Sequence, residues 1–189
     1  MDDSRYLEAY LSRVLDAVKS IEVAQLEQLA TVIDRTMCSQ GQVFFIGNGG
    51  SAATATHYVK DIVMAYARTN RVLRTSSLTD NPALTSGIAN DYSFEEIFEY
   101  QLRALGEPGD LVVAISASGN SPNLLRAIDY ANSAGIGTAA VLGFDGGKLK
   151  EMVDVVVHVT TQLGDYGPAE DAQLIINHAV SALLRAKGE

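Results

Sequence analysis

The sequence predicts an α/β fold, a single-domain doubly wound sheet of five parallel strands. Apolar runs such as 43–46 and 111–115 alternate with segments of helical spacing, and continuous apolar strands are typical of a parallel sheet covered on both faces. Loops rich in glycine and serine follow the first and third strands. The flavodoxin-like strand order 2-1-3-4-5 would make those two strands neighbours and place both loops at the topological switch point.

The first forty residues predict two helices that precede the sheet. Apolar side chains recur at helical spacing through Leu7, Leu11, Val14 and Leu15. Part of this stripe is expected to pack on the domain and part on another subunit, although packing in the core alone would explain the pattern equally well. The sequence therefore divides into a helical oligomerisation segment, residues 1–40, and an α/β core, residues 41–189.

The elements of the core follow in order from apolar periodicity and from turn and capping residues. Ser93 is expected to cap a helix through residue 102, with Glu96 completing a capping box. The other predicted elements are strands 43–46, 71–78, 111–115, 138–142 and 154–159, and helices 52–67, 82–86, 122–134 and about 169–187.

Composition restricts the class of protein. With 14 basic and 23 acidic residues, the net charge of −9 argues against a nucleic-acid partner. The apolar fraction of 47% and charged fraction of 20% are ordinary for a globular domain. The single cysteine, Cys38, cannot form an internal disulfide. Neither a signal-peptide pattern nor an apolar run of membrane-spanning length is present, so we expect a cytoplasmic protein without a membrane partner.

The two loops predict a phosphate site. Gly47–Ser51 links a buried strand to a helix, and its glycines let backbone N–H groups converge at the positive end of that helix. The loop 116–121 adds serine hydroxyls, which bind phosphate without adding charge. Facing each other across a sheet crevice, the loops would form one anion site.

Ionisable side chains lie near this site in the sequence. His57 and Asp61 are four residues apart and so share one helical face. The last helix carries Glu170, Asp171 and His178. Glu170 and His178, eight apart, are not strictly on one stripe, whereas Asp171 and His178, seven apart, are. Asp171 is therefore a rival to Glu170.

The motifs 47–51, His57, Asn90-Asp91, 116–121 and His178 together resemble the sugar isomerase (SIS) domain family, and within it the sedoheptulose 7-phosphate isomerases, or phosphoheptose isomerases. The resemblance implies a homotetramer with active sites between subunits. It also implies isomerisation of sedoheptulose 7-phosphate to D-glycero-D-manno-heptose 7-phosphate, by acid–base proton transfer through an enediol. Some members bind zinc, so the resemblance also allows one Zn²⁺ per site here.

The resemblance also assigns residues. Substrate binding is expected at Asn48, Gly49, Gly50, Ser51, Asn90, Asp91, Ser116, Ala117, Ser118 and Ser121. Catalysis is expected from Asp61, Glu170 and His178, and metal binding from His57 together with these three. Asp61 stands where the family usually has Glu, and Glu170 where it usually has Gln. These departures leave open which carboxylate is the base.

Two other functions fit parts of the sequence. A non-catalytic sugar-phosphate-binding or protein-interaction SIS module is one, although the presence of His57 and His178 counts against it. A dinucleotide enzyme is the other, because Gly47, Gly49 and Ala52 loosely match the Rossmann fingerprint. The hydroxyl-rich second loop, and the lack of a clear acidic residue at the ribose position, argue against any nucleotide cofactor.

Overall fold

The computed structural model describes residues 3–67, 69 and 73–188. These residues form a five-stranded parallel sheet in the order β2-β1-β3-β4-β5, which confirms the predicted topology. The strands are β1 (Val43–Gly47), β2 (Thr75–Ser77), β3 (Leu111–Ser116), β4 (Gly137–Leu142) and β5 (Val155–His158). The helices are α1 (Asp3–Lys19), α2 (Val23–Cys38), α3 (Gly50–Ala65), α4 (Pro82–Asp91), α5 (Glu99–Leu105), α6 (Pro122–Ser133), α7 (Leu149–Met152) and α8 (Tyr166–Gly188).

The sheet has a hydrophobic core on each face. Every residue of β1 is buried, and successive side chains of a strand point to opposite faces. Val43 and Phe45 therefore pack with α2, α3 and α8, whereas Phe44 and Ile46 pack with α4, α5 and α6. This double covering explains why the strands read as unbroken apolar runs.

Three elements differ in extent from their predictions. Helix α4, expected over 82–86, continues through Gly87 to Asp91, because a glycine inside a helix weakens it without necessarily ending it. Strand β2 spans only Thr75–Ser77 of the expected 71–78, because it is an edge strand that pairs on one side with β1. Residues 71 and 72 of that prediction lie outside the described residues. Helix α8 begins at Tyr166, before Pro168, since proline is tolerated within the first turn of a helix.

The predicted helix after Ser93 is wrong in its details. A 3₁₀ turn over Phe94–Glu96 comes first, and α5 begins only at Glu99. The Ser93 hydroxyl donates to the Glu96 carboxylate at 3.2 Å, and it makes no hydrogen bond to the backbone of that turn. Tertiary contacts take precedence over the capping pattern of Ser93 and Glu96. Glu99, the first residue of α5, is buried and accepts hydrogen bonds from Arg103 and Arg126.

Helix α1 packs against α8 and leaves one stripe uncovered. Ala17 is buried, whereas the side chains of Leu7, Leu11 and Leu15 are 59–60% exposed. These three leucines recur every four residues, so they form a single apolar line along the helix. In the described part of the chain, we find no helix with the length and apolar character needed to cross a bilayer.

Candidate functional site

Strand register brings the two loops together. Gly47 pairs with Ile115 at the ends of β1 and β3, so the loops that follow leave the same edge of the sheet. Between them and the first turn of α8 lies a cavity of about 120 Å³, which we call the serine cavity. Its polar lining consists of Asn48, Ser51, Ser116, Ser118, Ser121, Tyr166 and Glu170, and Ala117 is among its apolar lining.

The first loop gives the cavity a helix N-terminus. Gly49 precedes α3 with φ of 54°, a left-handed conformation that favours glycine. Helix α3 starts at Gly50, so unpaired backbone N–H groups lie near its first turn. Ser51 is buried, and its hydroxyl donates to Gln173 on α8 at 3.3 Å. Asn48 and Asn123 exchange amide hydrogen bonds at 2.9 Å, which joins this loop to α6.

The second loop is held by its own hydrogen bonds and by the loop after β4. The backbone N–H of Gly119 donates to Ser116 Oγ at 3.0 Å, and that of Asn120 donates to Ser118 Oγ at 3.3 Å. Gly119 has φ of 62°, and a Cβ there would overlap the carbonyl oxygen of Gly146. Among the described residues, Ser121 begins α6 without a side-chain capping bond. These bonds hold the Ser116 and Ser118 hydroxyls within the second loop.

A second polar group lies where α3 packs against α8. Asp61 Oδ2 is 3.1 Å from His57 Nε2 and 3.6 Å from His178 Nε2, and the two Nε2 atoms are 3.4 Å apart. One ligand atom from each residue lies within 4.8 Å of the others. We call these three residues the His–Asp–His group. It brings together three of the four predicted metal ligands.

Asp61 is nearly buried and well supported. Asn177 donates to its Oδ2 at 2.8 Å, and Lys60 Nζ lies 2.6 Å from its Oδ1. Burial alone would raise the pKa of the Asp61 carboxyl, but the hydrogen bond from Lys60 and the charge of His57, with that of Lys60, hold the pKa below its ordinary value. Asp61 is therefore a carboxylate at neutral pH. The side chain of His178, in contrast, is 56% exposed.

The carboxylates of Glu170 and Asp171, although adjacent in the sequence, have different surroundings. Glu170 is half-buried, lines the serine cavity and lies outside the His–Asp–His group. Asp171 accepts a hydrogen bond from the Tyr10 hydroxyl at 2.5 Å. This bond, together with burial and the negative charges of Asp171 and Asp165, raises the pKa of Tyr10 to about 12. In the described chain, Asp171 is thus directed towards α1 and Glu170 towards the cavity.

Asn90 and Asp91 belong neither to the lining of the serine cavity nor to the His–Asp–His group. They end α4, are exposed, and bond to each other at 2.8 Å from Asn90 Nδ2 to Asp91 Oδ1. Neither of these two described residues lines the serine cavity. Their predicted part in substrate binding therefore does not come from this cavity in the described chain.

Three polar residues of α8 support the site without having been predicted to. Gln173, Asn177 and Ser181 are buried; Gln173 contacts Ser51, and Asn177 contacts both Asp61 and Ser181. They recur every four residues beside the apolar positions 172, 176 and 180. The sequence signal that could have identified these residues is a line of polar residues beside a line of apolar residues on the same helix.

The sheet order, the paired loops and the serine cavity define a SIS domain. The family model described as SIS domain matches residues 5–143, and the chain belongs to this family. The phosphoheptose isomerase of Chlorobaculum parvum is 37% identical over 96% of this chain and 90% of its own length. The probable phosphoheptose isomerase of Thermoplasma acidophilum is 33% identical over 99% of this chain and all of its own.

A solved structure agrees over almost the whole chain. The phosphoheptose isomerase from Neisseria gonorrhoeae superposes with a TM-score of 0.88 at 28% identity, covering 97% of this chain and 98% of that one. The family resemblance and the fold class that the sequence predicts are thereby confirmed.

Proposed function

We propose that this chain is an aldose–ketose isomerase that converts sedoheptulose 7-phosphate to D-glycero-D-manno-heptose 7-phosphate. The observation that carries the proposal is that α3 and α8 together border a hydroxyl-lined cavity and hold a close group of two histidines and a carboxylate. The relatives that match nearly the full chain bear the name phosphoheptose isomerase, which supports the substrate.

The serine cavity would hold the phosphate. Ser51, Ser116, Ser118 and Ser121 offer hydroxyls, and the start of α3 offers backbone N–H groups. Hydrogen bonds to a charged acceptor are stronger than those between neutral groups, so neutral donors are sufficient for an anion. The phosphate would then fix one end of the sugar and leave its carbonyl end free to reach the acid–base group.

Isomerisation needs one group that removes a proton from carbon and one that transfers a proton to oxygen. The base takes a proton from C1 of the ketose, and an enediol forms as O2 gains a proton. Return of a proton to C2 and loss of the O1 proton then give the aldose. Asp61 is ionised and His178 is 3.6 Å from it, so we assign the transfer to this pair in preference to Glu170, which lies with the serines.

The His–Asp–His group also fits a zinc ion. Two imidazole nitrogens and one carboxylate oxygen are the ligand types of catalytic zinc sites, and we propose that His57, Asp61 and His178 would hold the ion. The atoms that would ligate zinc are those that transfer the proton in the metal-free chain, so for Asp61 and His178 the two roles are alternatives. When bound, zinc supplies Lewis-acid polarisation of a carbonyl. Glu170, expected from the sequence as a further ligand, lies outside this group in the chain as described.

Metal affinity should depend on Asn177. Replacing Asn177 by Leu removes the hydrogen bond that holds Asp61 Oδ2, and outer-shell partners of this kind are worth about 10–100-fold in metal affinity. Titration of zinc against a competing chelator would measure the loss. Ser181→Ala leaves the Asn177–Asp61 bond in place and should change affinity little. If zinc affinity falls in His57→Ala but is unchanged in Asn177→Leu, the hydrogen bond from Asn177 does not contribute to metal binding.

We also propose that the chain works as a homotetramer whose active sites lie between subunits, assembled through residues 1–40. The His–Asp–His group is half-open to solvent, and three leucines of α1 form an uncovered line. A second copy could cover both surfaces, and its residues would then enclose the reacting carbons.

Light scattering should give four times the chain mass of 20.2 kDa. Leu11→Glu, which places a charge in the leucine line, should shift the protein to smaller species and lower turnover. Leu163→Glu is the matched control, because Leu163 is 78% exposed and lies on the loop before α8. A stable and fully active wild-type monomer would reject the shared site.

The function itself is tested by incubating the protein with sugar phosphates of five to seven carbons and following ketose–aldose interconversion. We expect turnover to be best with sedoheptulose 7-phosphate and very low with free sedoheptulose, which lacks the anchoring group. Tight binding of the phosphate esters with no turnover of any of them would reject the isomerase. That result would instead support the non-catalytic binding module.

A further inference from the structure

The Glu170 carboxylate lies against the first residue of α3. A Cβ at Gly50 would overlap Glu170 Oε2 and would lie 2.8 Å from Oε1, so glycine at this position leaves the space that the carboxylate uses. Glu170 also lines the serine cavity. A negative side chain is thus placed where a helix N-terminus and several hydroxyls would otherwise attract an anion.

Among the described residues, no basic side chain lines the cavity to offset this charge. The described residues around it are apolar or carry hydroxyl or amide groups, and none of them is a lysine, arginine or histidine. A carboxylate and a phosphate are both negative at neutral pH, and like charges in one small cavity repel each other. Glu170 therefore opposes the ligand that the serines favour.

Contacts with α1 hold the first turn of α8 in place. Tyr10 donates to Asp171 at 2.5 Å, and Arg13 Nε is 2.8 Å from Asp165 Oδ2. Gly167 admits the Tyr10 ring, because a Cβ there would lie 2.8 Å from its hydroxyl oxygen. The backbone that carries Glu170 is therefore fixed on both sides of the residue. Its carboxylate cannot leave the cavity by movement of the backbone unless these contacts break.

We propose that Glu170 is a specificity-determining residue that lowers the affinity of the serine cavity for inorganic phosphate and so makes binding depend on the sugar. This inference rests on the proposed function. A sugar phosphate brings hydroxyl groups that can donate to the carboxylate and offset the repulsion. Inorganic phosphate at neutral pH can offer the carboxylate only its own P–OH, whereas the sugar phosphate offers several hydroxyl groups. The carboxylate thus makes the cavity bind the sugar phosphate in preference to inorganic phosphate.

The test is calorimetric binding of inorganic phosphate to the full-length chain. Glu170→Gln keeps the shape of the side chain and removes its charge, so we expect phosphate to bind about tenfold more tightly than to the wild type. Asp171→Asn is the matched control. It makes the same change in net charge one residue away and leaves an oxygen that can accept from Tyr10, so we expect affinity within about twofold of the wild type.

Sedoheptulose 7-phosphate is measured in parallel, and the ratio of its affinity to that of inorganic phosphate should fall in Glu170→Gln. Glu170→Ala provides a second charge-removing variant if the glutamine variant does not fold. Equal or weaker phosphate binding in the charge-removing variants would overturn the inference, as would an equal gain in Asp171→Asn. If the wild type turns over the sugar phosphate while phosphate affinity is unchanged in these variants, only this inference fails. If the wild type turns over no sugar phosphate, the proposed function fails whatever the phosphate affinities.

Discussion

Replacing His178 by Ala should lower turnover of the sugar phosphate by about 10²–10⁴-fold, the usual contribution of a general acid or base. The imidazole lies 3.6 Å from Asp61 on the exposed side of the group, where it can exchange a proton with the substrate oxygen. The serine hydroxyls that we propose bind the phosphate are on other elements. Steady-state kinetics should therefore show the loss in kcat, while affinity for the phosphate ester remains largely intact.

His178→Gln separates proton transfer from hydrogen bonding. Glutamine can still donate towards Asp61, but it cannot act as an acid or base near neutral pH. We expect this variant to be nearly as slow as His178→Ala. Turnover close to that of the wild type in either variant would remove His178 from the chemistry and leave it a histidine of the helix surface.

Replacing Ser116 by Ala should weaken binding of the sugar phosphate by about 1.5–3 kcal/mol, the range for hydrogen bonds to a charged group. That range corresponds to roughly 10–150-fold in affinity. The Ser116 hydroxyl is buried beside the cavity and also accepts from the Gly119 backbone at 3.0 Å. Its removal therefore takes away a ligand contact and loosens the loop that carries Ser118.

Ser133→Ala is the matched control, because Ser133 ends α6 and its exposed hydroxyl bonds only to the nearby Tyr130 carbonyl among the described residues. Calorimetry with sedoheptulose 7-phosphate and with free sedoheptulose gives the comparison. Equal affinity of the wild type for the two sugars would show that the serine cavity does not bind the phosphate.

The topology could be predicted because the sheet is covered on both faces. Burial on two sides requires apolar strands, and the strand order followed from the two loops that had to meet. The extent of individual elements depends on partners far away in the sequence. The turn after Ser93 is broken by contacts of Glu99 with Arg126, which is 27 residues away, and no local capping pattern contains that information.

The sequence predicted those contacts of the site that depend on spacing within one helix. It did not predict those that depend on how helices pack against each other. Spacing of four residues placed His57 beside Asp61, and both meet His178 because α3 packs on α8. Adjacent helical residues differ by about 100° in direction, so the choice between Glu170 and Asp171 depends on how α8 is rotated. Tyr10 and Gly50 fix that rotation, and neither was recognisable as a partner in the sequence.

The most direct test of the central claim, proton transfer through an enediol, is to convert sedoheptulose 7-phosphate in D₂O and measure deuterium at C2 of the aldose product by NMR. The base removes a proton from C1, and exchange with solvent before the return step replaces it with deuterium. We predict an aldose that carries deuterium at C2 in the wild type, and little product with His178→Ala. An aldose formed at the same rate with only protium at C2 would indicate a hydride shift or a proton fully shielded from solvent, and would contradict the predicted exchange.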